Sequence, residues 1–117
     1  MDSTHFWNAL DTLVATSDRP RGSLHPRYPD FRYPLDYGYL QGTSSGDGAG
    51  IDVWVGGLPH RTIEALICTV DLKKRDTEIK LLLGCPPEEV QTILAVHQNF
   101  SSNGGQSAML IKRAATE

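Results

Sequence analysis

The prolines and glycines between Asp18 and Asp52 restrict the fold of this chain more than any other feature. This segment holds four prolines and six glycines. Proline fixes its own φ and has no N–H to donate, and it also biases the preceding residue away from helix. Glycine permits tight turns. We therefore expect extended and turning chain here, with a tight turn over 46–50.

Hydrophobic periodicity predicts regular elements on either side of that segment. We expect an amphipathic helix over Ser3–Val14, strands over Ile51–Val55, Ile63–Val70 and Glu78–Leu83, a helix from Pro86 to about Phe100, a loop over 101–105 and a last strand over Met109–Ile111. Three strands so close in sequence suggest an antiparallel sheet or a small barrel. Val14–Ser17 is expected to lead from helix to loop, with no strand before Asp18.

Composition narrows the class of protein. A chain of 117 residues fits one domain, so we expect a single unit over 1–117. A net charge of −3 argues against a general nucleic-acid binder. The sequence has neither an apolar run of about 20 residues nor a basic and apolar N-terminus, which predicts a soluble, cytoplasmic protein. Cys68 and Cys85 lack CxxC spacing, so we interpret them as small apolar residues near strands.

Two pairs of aspartates have the same spacing. Asp47 and Asp52 are five positions apart, as are Asp71 and Asp76, and each pair needs a bend to come together. The glycine turn supplies one bend, and the four residues 72–75 can connect two strands. Oxygen ligands without histidine or thiolate favour magnesium or manganese over zinc. The alternative is that these aspartates only terminate turns.

Histidines and arginines allow two interpretations each. His97 lies on an apolar helical stripe and is predicted to be a histidine at the edge of the core, whereas His25 and His60 lie in loops without metal-ligand spacing. The arginines between Asp18 and Tyr33 could form a solvated face. Their guanidinium groups also suit phosphate oxygens or carboxylates.

The stretch from Tyr33 to Val55 resembles the signature of the soluble, magnesium-dependent inorganic pyrophosphatases. The matching residues are Tyr33-Pro34, Tyr37-Gly38-Tyr39, Thr43, Asp47-Gly48 and Ile51-Asp52-Val53. The Asp71 and Asp76 spacing matches that of the family's downstream metal ligands, and residues 19–23 resemble its Pro-Lys-Gly-Ser turn. The resemblance covers most of residues 18–83.

The resemblance implies a mainly β fold with flanking helices, a five-stranded OB-like antiparallel barrel, that binds Mg²⁺, with Mn²⁺ as the other option, around diphosphate. It implies these site residues: Asp47, Asp52 and Asp76 as ligands of the principal metal, Asp71 as a ligand of a substrate-associated metal, Asp18 at a metal-binding glutamate position, Tyr37 as a catalytic residue with Asp52 and as a phosphate contact, and Arg27 as a phosphate cation. Such a protein would act on a small phosphorylated substrate, away from membrane and nucleic acid, and a homo-oligomer is compatible with it.

The sequence also departs from the family pattern. The middle aspartate that orients or deprotonates the attacking water is Ala49, and a general base of this kind typically contributes about 10²- to 10⁴-fold. Asp36 replaces the usual asparagine. The lysine two positions after Asp76 is replaced by Glu78, while Lys80 lies on the same strand face and becomes the candidate substrate-binding cation. Phe100-Ser101 stands where a phosphate-binding Tyr-Lys pair is expected.

Three hypotheses follow from these observations. The first is magnesium-dependent hydrolysis of diphosphate or another phosphoanhydride by a compact pyrophosphatase relative. The second is a non-catalytic, metal-dependent phosphate or nucleotide binder that lost its base at Ala49. The third is an OB-like interaction module that stacks nucleic-acid bases on Tyr33, Tyr37 and Tyr39.

Overall fold

The computed structural model describes residues 2–99 and 106–114, which form one mixed β-sheet with two helices. The elements in chain order are α1 (Thr4–Asp11), β1 (Ala15–Arg19), β2 (Asp36–Leu40), β3 (Asp52–Val55), β4 (Ile63–Asp71), β5 (Asp76–Leu83), α2 (Pro87–Asn99) and β6 (Gln106–Lys112). The loop predicted over 101–105 and the Phe100-Ser101 pair lie outside the described residues. Neither helix is long and apolar enough to cross a membrane, within the residues described.

The sheet consists of two antiparallel three-stranded units joined by one parallel pair. Its strand order is β1-β2-β3-β5-β4-β6. The first three strands form one antiparallel unit, and β4 pairs antiparallel with both β5 and β6 to form the second. β3 and β5 run parallel, and their register places Asp52 directly opposite Lys80. The two halves of the chain therefore meet at this pair of strands.

Each face of the sheet buries a separate cluster. On one face, Trp54, Ile67 and Leu82 pack with Ile93 of α2. On the other face, Leu40, Val53 and Leu81 pack with Trp7 of α1. Because both faces are covered, the central strands alternate between two apolar surfaces rather than between core and solvent. The polar side chains of Asp52 on β3 and Lys80 on β5 are consequently partly buried next to an apolar cluster.

Several predictions are confirmed. Both helices occur within a few residues of the predicted bounds, and proline occupies the first turn of α2 with Glu88 and Glu89, as expected of a helix start. Residues 20–35 contain no helix, and they are held by an isolated bridge between Leu24 and Arg32 together with backbone hydrogen bonds such as the one that the Tyr33 N–H donates to the Ser23 carbonyl. Both cysteines are free thiols, with Cys85 buried and Cys68 half-buried. The mainly β class with flanking helices is also confirmed.

Other expectations were wrong. A strand, β1, does precede the turn at Pro20, because residues 15–19 pair with β2 despite their polar composition. The sheet is not antiparallel throughout, since β3 and β5 are parallel. The sheet has six strands, and among the described residues β1 and β6 are its two edges, so the sheet is not a closed barrel there. β5 also begins two residues earlier than predicted, at Asp76.

Candidate anion-binding site

An open cavity of about 280 Å³ lies over the first unit of the sheet and contains much of the predicted site. It is lined by Asp18, Arg19, His25, Tyr33, Tyr37, Gly38, Tyr39, Ala49, Gly50 and Asp52. β1, β2, β3 and the two loops that follow β1 and β2 supply these residues. Of the predicted site residues, the cavity brings together Asp18, Tyr37 and Asp52.

Glycine is required where two of the cavity's elements approach each other. A Cβ on Gly38 would collide with the carbonyl of Thr16 on β1. A Cβ on Gly50 would lie 2.9 Å from the ring of Tyr39. The glycines of this stretch therefore do more than form a turn, since they let the backbone and the tyrosine pack tightly around the cavity.

Lys80 is the centre of the polar contacts beside the cavity. Its ammonium donates to Asp52 Oδ2 at 2.6 Å and to Tyr37 Oη at 3.0 Å, and it lies 3.7 Å from Glu78 Oε2. The parallel register of β3 and β5 produces this arrangement, because Asp52 and Lys80 are direct partners. Lys80, which the sequence offered as the cation in place of the lysine that Glu78 replaces, is therefore held beside Asp52.

The electrostatics keep this lysine charged and this tyrosine neutral. Burial on its own would lower the pKa of Lys80, but Tyr37 and Asp52 outweigh it, so the pKa is raised. Burial raises the pKa of Tyr37 well above its ordinary value, with Lys80 opposing that shift. At neutral pH the Tyr37 hydroxyl therefore keeps its proton and can act as a hydrogen-bond donor, but not as a base.

The cavity lining contains a cation that sequence reasoning did not assign to the site, Arg19, alongside the carboxylates of Asp18 and Asp52. Arg19 lines the cavity, and its positive charge opposes the rise that burial causes in the pKa of Tyr33. The pKa of His25 is lowered by burial first and then by the nearby charges of Arg19 and Arg27. No local signal pointed to this position, because residues 15–19 carry hardly any apolar alternation that would predict a strand ending at Arg19.

Arg27 itself is exposed and does not line the cavity. Its backbone N–H and that of Tyr28 donate to Nδ1 of His25. The predicted phosphate cation therefore lies beside the cavity, where it influences the charge of His25.

The remaining predicted metal ligands lie elsewhere or are already bonded. Asp47 is exposed in the glycine loop, where its Oδ1 accepts bonds from the Ser45 hydroxyl and the Ala49 N–H. These two bonds lower the pKa of Asp47. The arrangement is that of an aspartate that orders a turn.

The downstream pair is brought together as predicted, at the far end of the second unit. Asp71 and Asp76 are direct partners across the β4–β5 turn, and Arg75 closes that turn with a left-handed φ of 58°. Oδ1 of the buried Asp71 accepts the backbone N–H groups of Lys73 and Lys74. Asp76 is four residues before Lys80 on β5, so this pair is roughly 13 Å along the strand from Asp52.

The donors present do not fit the magnesium site that the resemblance implies. Mg²⁺ requires near-octahedral oxygen ligands at about 2.0–2.1 Å. Asp52 is bonded to an ammonium instead, and within residues 2–99 and 106–114 no three histidine, cysteine or acidic side chains are grouped so that they could hold a metal ion. A divalent ion about 4.5 Å from the Lys80 charge would meet a repulsion of roughly 7 kcal/mol at an effective dielectric constant of 20.

Aromatic rings fill the space behind the cavity. Tyr33 and Tyr37 stack at 5.5 Å, Tyr37 and Trp54 approach to 4.5 Å, and the Trp54 indole N–H donates to Nε2 of His97 at 3.0 Å. His97 is thus the core-edge histidine that the sequence predicted. Tyr33 is only 5% exposed, and of the three tyrosines in the interaction-module hypothesis only Tyr39 is exposed, at 38%.

Comparison with known proteins supports the fold. No protein-family model matches the sequence, and no curated protein sequence matches it. Among solved structures, the chain is similar to an inorganic phosphatase from Anaplasma phagocytophilum, with 15% identity, a TM-score of 0.51 and coverage of 85% of this chain and 78% of that one. It is also similar to the inorganic pyrophosphatase of Helicobacter pylori, with 11% identity, a TM-score of 0.52 and the same coverage. At these identities the likeness establishes a shared fold.

Proposed function

We propose that this chain, which has a pyrophosphatase-like fold, binds a small phosphorylated anion in the cavity between Arg19 and Tyr37, with inorganic diphosphate as the first candidate. The observation that carries the proposal is that Arg19 and Tyr37 line the same cavity, where the Tyr37 hydroxyl stays neutral and can donate a hydrogen bond. A guanidinium group binds phosphate oxygens in a bidentate manner. The solved structures with this fold support diphosphate as the ligand to try first.

Calorimetric titration tests the binding. Diphosphate, phosphate and a nucleoside diphosphate would be titrated into the protein, with Arg19→Gln as the test variant. Arg21→Gln is the matched control, because Arg21 is exposed two residues away and does not line the cavity. We expect saturable diphosphate binding that Arg19→Gln weakens at least tenfold and Arg21→Gln leaves unchanged. Equal loss in both variants, or no saturable binding of any of the three anions, would refute the proposal.

A second candidate function is hydrolysis of diphosphate with Mg²⁺ or Mn²⁺, and the position of Asp52 beside Tyr37 in a pyrophosphatase-like fold favours it. It requires Asp52 to exchange Lys80 for a metal ion, and it retains Asp18, Asp47, Asp71 and Asp76 as hypothetical ligands. The cytoplasmic location and a homo-oligomer are predictions that belong to the same hypothesis.

Phosphate release decides between binding and hydrolysis. Ala49 lines the cavity, so Ala49→Asp would return a carboxylate to its wall. If the chain is a hydrolase limited by the missing base, the variant should release phosphate at least 10²-fold faster than the wild type. Asp52→Asn should abolish the release in both backgrounds. No release above background in wild type or Ala49→Asp, with either metal, would exclude hydrolysis and leave binding as the function.

A further inference from the structure

We propose that the Lys80 ammonium is a built-in replacement for a divalent cation, so that the cavity takes its phosphorylated ligand without a metal ion. The part concerning the ligand rests on the proposed function. The part concerning the metal rests only on the surroundings of Lys80.

The ammonium of Lys80 donates two hydrogen bonds to oxygen and has a longer ion-pair contact with a third oxygen. Asp52 Oδ2 lies at 2.6 Å, Tyr37 Oη at 3.0 Å and Glu78 Oε2 at 3.7 Å. An ammonium group carries three N–H donors and no acceptor. Its environment is thus a set of oxygens converging on one positive charge, which is the kind of environment that a bound metal ion would otherwise occupy.

The backbone holds Lys80 in this position. The residue is 9% exposed and lies on a central strand, opposite Asp52 on β3 and Ile67 on β4. Nζ is 3.0 Å from Tyr37 Oη and 5.7 Å from the centre of its ring, so the ammonium lies beyond the hydroxyl, at the edge of the ring. A surface lysine could move aside for an incoming ion. Here the charged end would have to leave Asp52 and Tyr37 together.

The other carboxylates cannot compensate for the occupied Asp52. Asp71 and Asp76 lie roughly 13 Å away along β5, at the turn. Asp47 is committed to the glycine loop through Ser45 and Ala49. The ligands that the resemblance assigns to one metal are therefore distributed over three places in this chain.

Manganese titration followed by electron paramagnetic resonance tests the metal claim, because the signal of free Mn²⁺ falls when the ion binds. We expect the wild type to show no saturable site that depends on Asp52. Lys80→Met should gain a Mn²⁺ site, and Asp52→Asn added to Lys80→Met should remove it again. Lys74→Met is the matched control, since Lys74 is an exposed lysine on the β4–β5 turn, and it should behave as the wild type does.

Two results of the manganese titration would overturn the inference. The first is saturable Mn²⁺ binding by the wild type that Asp52→Asn abolishes, and this comparison needs no Lys80 variant to fold. The second is a folded Lys80→Met, verified by its circular dichroism, that binds no more Mn²⁺ than the wild type. Lys80→Gln, a polar variant, repeats the second comparison if Lys80→Met fails to fold.

Diphosphate titration in chelator and in excess Mg²⁺ separates this inference from the proposed function. We expect the same affinity in both conditions, once magnesium complexed by diphosphate itself is allowed for. Binding only with Mg²⁺ would overturn the metal-free site and leave the proposed function intact. Absence of binding in both conditions would overturn the proposed function, while the manganese result would still decide the role of Lys80.

Discussion

The contact between Asp52 and Lys80 should be one of the strongest polar contributions to the stability of this chain. Their side chains are 23% and 11% exposed, and the pair spans the parallel strands that join the two halves of the sheet. Removing one member of a fully buried ion pair costs about 3–5 kcal/mol. Because Asp52 retains some contact with water, we expect Asp52→Asn to lower the free energy of unfolding by about 2 kcal/mol.

This cost corresponds to a measurable shift in melting temperature. For 117 residues, an unfolding entropy of about 2.1 cal/mol/K per residue gives about 0.25 kcal/mol/K, so the midpoint should fall by about 8 °C. Thermal unfolding at pH 7, followed by tryptophan fluorescence, measures it. Asp30→Asn is the control, since Asp30 is an exposed aspartate in the arginine-rich loop, and it should shift the midpoint by less than about 2 °C.

A double-mutant cycle then tests the reasoning itself. Lys80→Met leaves Asp52 without its cation, whereas Asp52→Asn with Lys80→Met removes both charges. If the two side chains interact as the structure shows, the double variant should be less destabilised than the sum of the single variants by about 1–2 kcal/mol. Additivity within about 0.5 kcal/mol would show that the pair contributes nothing beyond its separate members.

Three further predictions concern the packing around the site. Gly38→Ala should destabilise the fold by about 1–3 kcal/mol, because the added methyl group collides with the Thr16 carbonyl, and urea unfolding would measure it against Gly46→Ala, where the space is open. Ile93→Ala should cost about 2–5 kcal/mol in the same assay, because this α2 side chain is fully buried against the sheet; a loss below 1 kcal/mol would contradict that packing. Burial, assisted by the charge of Lys80, lowers the pKa of His97 from 6.5 to about 4. Between these two pH values His97 is protonated in the unfolded chain but neutral in the folded chain, so stability falls as the pH drops from about 6.5 towards 4. Between pH 7.5 and 4.5 the wild type should therefore lose about 2 kcal/mol more than His97→Gln, and parallel loss in the two proteins would contradict this assignment.

The sequence predicts most of the elements because their hydrophobic periods are strong. The alternation through Val53 and Val55 and the stripe through Val90 and Ile93 both place residues that are buried in the structure or lie at its core edge. The cross-strand meeting of Asp71 and Asp76 was also predictable, because a four-residue connection between two strands leaves few alternatives.

β1 and β2 could not be predicted in the same way. Residues 15–19 carry hardly any apolar signal, and β2 contains Gly38, which normally weakens a strand. Both become strands because they pair with each other and β2 also pairs with β3, which is a tertiary effect that overrides local preference. The position of Arg19 in the cavity depends on β1 and was missed for that reason.

The composition of the site was harder to predict than its location. Tyr37 and Asp52 were assigned from motif residues, and the structure brings them together through Lys80. The contact between Asp52 and Lys80 depends on the parallel register of two strands that are not neighbours in the chain, and no local pattern encodes that register.

The parallel pairing of β3 with β5 also affects how this chain can assemble. The strands of the first unit lie within residues 15–55 and those of the second within residues 63–112, so each can pair its own strands through contacts nearer in sequence. Contacts between distant residues form late and slowly because the intervening chain must first be ordered. Neither half alone contains both Asp52 and Lys80. Asp52 therefore acquires its cation only at the folding step in which one half docks on the other, and a chain arrested before that step would have an uncompensated carboxylate at this position.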